Sequence, residues 1–292
     1  MNTHIPTLLL REWMQHKRGW LTAAFAPPLL FLCILLIPSA TVQGLPGDKL
    51  PLTATMVLAV STMSVYGICL LIALFQLPGL ARRDVQDRSI EFWLSLPGRP
   101  SESIAATVLA HAWLAPLGGL LVGTLLGGPI AAAVVAKQEG LAAVGTLPWG
   151  EMLTLVAPML LRAIVGTALL LLWLAPAIFT LMAASAWLKR LGVPVVLVGG
   201  GVAVTVLKKA YDIEWPLQAL QSLVQQASHA LFGSEMVLGE ALKAGDTAAI
   251  WQWAVQDLGR AVSQLASLEF IGWAAVAAAG FALLVLKRQR AG

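Results

Sequence analysis

Charge is what this sequence has least of. Only 12% of its 292 residues are Asp, Glu, Lys or Arg, against about 25% in soluble domains. Hydrophobic residues make up 58% and mean hydropathy is +0.80. That balance excludes an ordinary water-soluble domain and predicts an integral membrane protein embedded in a lipid bilayer. Cysteine is nearly absent too. Cys33 and Cys69 fall in separate apolar runs at different depths, and bridged Cα atoms must lie within about 7 Å, so both are expected to be free packing residues. The four histidines, His4, His16, His111 and His229, are scattered, and neither HExxH nor GxSxG occurs. Nothing therefore supports a membrane hydrolase, a metal centre or any other enzyme. No lysine is followed by Ser or Thr, which excludes a P-loop, so the chain needs no nucleotide cofactor of its own. The predicted spans hold only His111 and Arg162 as ionisable groups and no mid-membrane carboxylate, which argues against a proton- or sodium-driven carrier. No basic run interleaved with aromatics suggests nucleic acid.

What is there is a series of long apolar runs. Residues 5–18 place Ile5, Leu8, Leu9 and Trp13 on one helical face and His4, Arg11, Gln15 and Arg18 on the other. That pattern predicts an interfacial helix over 1–18, with Trp13 at the headgroup level. Spans are expected at about 20–37, 53–80, 101–136, 152–187, 193–207 and 270–286, in a single all-α membrane domain covering 1–292. The third carries Gly119, Gly123 and Gly127 on one face, a stripe that lets another helix approach closely. The fourth run is too long for one crossing at about 1.5 Å per residue, so it must tilt, kink at Pro158 or Pro176, or project. Its lone charge, Arg162, counts out to the outer interface, where snorkelling or pairing with Glu151 or Glu269 is expected. Residues 208–267 form the largest polar region, with amphipathic helices at 215–232 and 247–265. Six crossings put most of the nineteen lysines and arginines on the side of both termini, in keeping with the positive-inside rule.

The densest charge lies between the second and third spans, in Arg82-Arg83-Asp84-Val85-Gln86-Asp87-Arg88-Ser89-Ile90-Glu91-Phe92-Trp93-Leu94-Ser95-Leu96-Pro97. Ile90, Trp93 and Leu94 would form one apolar stripe of a short helix, and Arg83, Asp84, Asp87, Arg88 and Glu91 the rest of its surface. Pro97-Gly98 would end it. A plain solvated loop explains the arginines but not the interleaved acids or the Phe92-Trp93 pair.

This cluster, followed by an apolar stripe, Leu-x-x-Leu-Pro and Glu102, resembles the coupling helix of ABC-2 type transporter permeases. Ser89-Ile90 and Gly98-Arg99-Pro100 depart from the usual pattern there. The resemblance covers nearly the whole chain in layout but only this stretch in motif. It implies a six-helix permease of the bacterial cytoplasmic (inner) membrane, with both termini cytoplasmic, acting most often as an exporter. Arg83, Asp84, Asp87, Arg88, Glu91, Phe92 and Trp93 would dock a separate P-loop ATPase subunit holding ATP and Mg. The 1–18 segment, with Arg11 and Trp13, would be the family's elbow helix, and a second permease copy or paralogue would complete the transporter. Two other readings stay open: a membrane scaffold or assembly factor whose central loop binds a non-ATPase partner, and a membrane enzyme working through 208–267.

Overall fold

The computed structural model describes residues 4–39, 50–83, 99–233 and 235–290. All regular structure among them is helical. The principal helices are α1 (Ile5–Leu35), α2 (Leu50–Leu80), α3 (Pro100–Glu139), α4 (Trp149–Leu188), α5 (Gly200–Tyr211), α6 (Trp215–Leu231), α7 (Glu235–Ala244), α8 (Thr247–Ser263) and α9 (Leu268–Gln289). Among the described residues, five helical runs are long and apolar enough to cross a membrane, one of them extending over Trp149–Tyr211 through α4 and α5. Leu30, Val60, Phe75, Leu121 and Leu125 are well exposed along the crossing helices, the arrangement expected where the surrounding medium is lipid rather than water.

The α2–α3 pair forms the spine. Gly119, Gly123 and Gly127 of α3 lie directly against α2: a methyl group added at Gly123 would sit 2.9 Å from the Thr62 Cα, and one at Gly119 2.7 Å from the Cys69 Sγ. At Gly127 it would lie 3.1 Å from the Leu58 carbonyl oxygen. With no hydrophobic drive between helices in lipid, this backbone proximity supplies the dispersion contacts that hold the pair. Cys69 is buried in that seam, Cys33 is exposed on α1, and neither is bridged.

Residues 5–18 do not form a separate interfacial helix. They are the first half of α1, which runs without a break to Leu35. The physical reason is plain. Between Pro6, in the first turn where proline is tolerated, and Pro27 the segment has one Gly and no Pro, so its backbone has no cause to stop. At the other end of α1, Lys137 of α3 donates to the Leu35 and Ile37 carbonyls at 2.8 and 2.5 Å, satisfying orphan acceptors of the last turn.

The 40 residues of α4 extend about 60 Å at 1.5 Å per residue, twice a hydrocarbon core of about 30 Å. Two different partners cover its length. Trp173 meets Phe270 at 5.1 Å and Phe179 meets Phe281 at 5.3 Å, so α9 lies along the second half. The first half is covered by α6 and α8, which bury Leu223, Ala227 and Ala230, and Ile250, Trp253 and Ala254, against α4 and its neighbours. The helices α6 and α8 are thus a packed layer over the first half of α4. After α4 the helix is broken at Lys189, whose φ of 56° is left-handed. Gly192 then lies so close to the Ala184–Ser185 backbone that no side chain fits there. Beyond it, α5 buries none of its residues.

Candidate functional site

Glu12 is completely buried although it carries charge, and five side chains from two helices and one helix end converge on it. Arg83, just past the end of α2, donates from both terminal nitrogens, 2.9 Å to each carboxylate oxygen. Arg11 reaches Oε1 at 2.5 Å and the Thr107 hydroxyl donates to the same oxygen at 2.8 Å. Two imidazoles face the other oxygen: His111 Nε2 lies 3.4 Å and His16 Nδ1 3.7 Å from Oε2. The His16 and His111 rings meet edge-on with centroids 4.4 Å apart, and Trp20 closes on His111 at 5.0 Å. Arg11 also approaches the Ser103 hydroxyl, at 3.4 Å.

Local sequence explains how the partners arrive. Glu12 and His16 are one turn apart on α1, so both point at α3. His111 sits in a widened π-helical turn, Leu109–Leu114, immediately before Pro116. Proline there has no N–H for the Ala112 carbonyl and its ring crowds that oxygen, so a wider turn relieves both problems. Thr107 is one turn earlier on the same face.

Electrostatically, one carboxylate is set among two guanidiniums, a hydroxyl and two imidazoles. A bidentate guanidinium pair with further donors on the acceptor is the geometry in which a buried ion pair offsets its desolvation. The arrangement is a clasp: it ties the end of α2 and the start of α3 to α1 through one side chain. Chemically it offers a buried anion, and Glu12, His16 and His111 are also the three described residues whose ligand atoms, all within 4.8 Å of one another, would suit a metal ion.

A second buried network lies elsewhere in the bundle. Arg162 of α4 donates from Nε to the Asp257 Oδ2 at 2.9 Å and from its terminal nitrogens to the Ala230 and His229 carbonyls at 2.8 and 3.2 Å. The Gly233 amide completes Asp257 at 3.1 Å. Arg162 therefore neither snorkels nor pairs with Glu151 or Glu269. Glu269 instead accepts from the Ser222 hydroxyl, and Asp257 takes Arg162 because α8 folds back across α4. Near the first turn of α4, an open cavity of ≈ 780 Å³ is lined by Leu50, Thr55, Glu151, Met152, Lys243 and Thr247 among others. No histidine or cysteine is among its described lining residues.

Of the residues predicted from sequence, Arg83 and Arg11 come together at Glu12. Trp13 stays 44% exposed and meets Trp20 with ring centroids 6.0 Å apart. Gly119, Gly123 and Gly127 form a separate packing seam. Asp84, Asp87, Arg88, Glu91, Phe92 and Trp93 lie outside the described residues. Sequence reasoning missed Glu12 and left His111 without a second ligand, because it sought one on the same helix. The available signal was a lone acid among Arg11, Lys17 and Arg18, followed one turn later by His16.

Neither a family model, nor a curated protein, nor a solved structure matches this chain. Its function has to be read from the clasp itself.

Proposed function

We propose that the chain is the membrane subunit of an ATP-driven transporter of the ABC-2 type, most simply an exporter, coupled to a separate ATPase through the loop at 82–103. One observation carries the reading. Arg83, at the start of that loop, and Thr107, just beyond its end, both bond to the Glu12 carboxylate. A force applied to the segment would thus reach α1, α2 and α3 together, which is what a coupling element has to do. Counting α4 and the helical run 192–211 that ends in α5 as separate crossings gives six, with both termini on the cytoplasmic side of a bacterial inner membrane. ATP and Mg belong to the partner, and a second permease copy or paralogue completes the assembly.

The test is a mild-detergent pull-down with the ATPase activity of the eluate measured. Reversing both charges in an Arg88→Glu, Glu91→Arg variant is expected to abolish ATPase association while membrane insertion is retained. A fully active complex recovered with the double variant would remove the docking assignment. A native preparation that brings down a stoichiometric soluble protein without nucleotide-binding motifs would favour a scaffold instead.

A further inference from the structure

We propose that Glu12, His16 and His111 form a binding site for a divalent transition-metal ion, and that the ion and Arg83 compete for the Glu12 carboxylate. The donor set is chemically suited: two imidazoles and one carboxylate match Zn²⁺, Co²⁺ or Ni²⁺ far better than Mg²⁺ or Ca²⁺. The geometry fits as well. A tetrahedral ion with ligands at about 2.0–2.1 Å holds neighbouring ligand atoms roughly 3.4 Å apart. His111 Nε2 stands 3.4 Å and His16 Nδ1 3.7 Å from the same carboxylate oxygen, so two of the three edges are already near that length.

Hydrogen bonding alone accounts poorly for His111. Its Nε2, the nitrogen the ion would take, makes only a long 3.4 Å approach to Glu12. A fully buried imidazole so weakly satisfied calls for another explanation. The supporting shell that a metal-bound carboxylate requires is also in place, because Thr107 and Arg11 hold Oε1 and leave Oε2 turned toward the imidazoles.

Competition follows from charge. Arg83 places a terminal nitrogen 2.9 Å from Oε2, on the oxygen the ion would use, and like charges at such separations in a buried site repel strongly. Arg83 is the partner able to leave. Its side chain keeps 13% exposure and it stands where α2 gives way to residues 84–98. His16, with 21% of its side chain exposed, marks the way in. Metal binding would therefore open the Arg83 side of the clasp. Only the consequence of that opening for ATPase docking rests on the transporter reading; binding does not.

The experiment titrates untagged, detergent-purified protein with Co²⁺ and follows the visible d–d absorption of the bound ion, with no ATPase present. Arg83→Gln is expected to bind one Co²⁺ about tenfold or more tighter than the wild type, and Arg83→Gln/His16→Gln to lose that gain, in the range typical of lost metal partners. His16 is the ligand chosen for removal because the one hydrogen bond its Nδ1 makes, to the Glu12 carbonyl on its own helix, is the bond the ion would displace. Arg83→Gln binding no tighter than wild type, or a Co²⁺ spectrum unchanged by His16→Gln, would overturn the proposal. Because the assay uses the permease alone, failure of the transporter reading would leave its outcome untouched.

Discussion

The Glu12 and Arg162 networks use the same chemistry, a buried arginine–carboxylate pair, for opposite ends. At Arg162 the guanidinium is the buried centre, and fixed backbone carbonyls of α6 share it with Asp257. Every partner is locked within helical packing, and Gly166 leaves just the room needed, since a methyl there would fall 2.5 Å from Nη1. At Glu12 the carboxylate is the centre, and its partners are long or rotatable side chains on separate elements, one of them standing at the threshold of residues 84–98. The first network has one arrangement available to it. The second can exchange partners without unfolding a helix, and that difference separates a strut from a joint.

Three substitutions would break or sharpen this contrast. Asp257→Ala should have the largest effect on stability, lowering it by about 3–5 kcal/mol, because Arg162 would be left buried without its counter-charge. Thermal unfolding in detergent measures it, and a loss no larger than that of the Glu12 variant would erase the distinction. Glu12→Gln should destabilise by less, about 1.5–3 kcal/mol as for hydrogen bonds to charged groups, since the amide keeps an acceptor oxygen for Thr107 and the guanidiniums. Amide exchange should then rise at both 80–83 and 100–108, whereas Asp257→Ala should leave those segments protected. Thr107→Val should cost least, about 1 kcal/mol, and should raise exchange on the α3 side alone. Equal exchange on both flanks in that variant would mean the partners do not act separately.

Much of the fold could be read from the residues and much of the site could not. The glycine spacing in α3 and the excess length of α4 are local patterns, and each maps onto one helix. Glu12 depends on partners 71, 95 and 99 positions away, and no periodicity carries that information. The charged half of α1 was misread for a related reason. Its polar face looked like a face for water, yet Arg11 and Glu12 are both buried because they satisfy one another and their neighbours rather than solvent. Arg162 was placed beside carboxylates close in sequence depth, but the fold-back of α8 decides its partner.

The unbroken course of α1 has a mechanical consequence. Its buried anchors in the bundle, Ala24 and Leu35, lie beyond Glu12, with Pro27 and Pro28 between them. Two prolines in succession strip hydrogen bonds from the turn before them and leave the helix easiest to bend there. From Ala24 to Glu12 is a stiff arm of about 18 Å at 1.5 Å per residue, so swinging it by about 10° carries the carboxylate roughly 3 Å. That is a full hydrogen-bond length: a rotation too small to disturb the apolar seams is enough to take Glu12 out of reach of one set of partners.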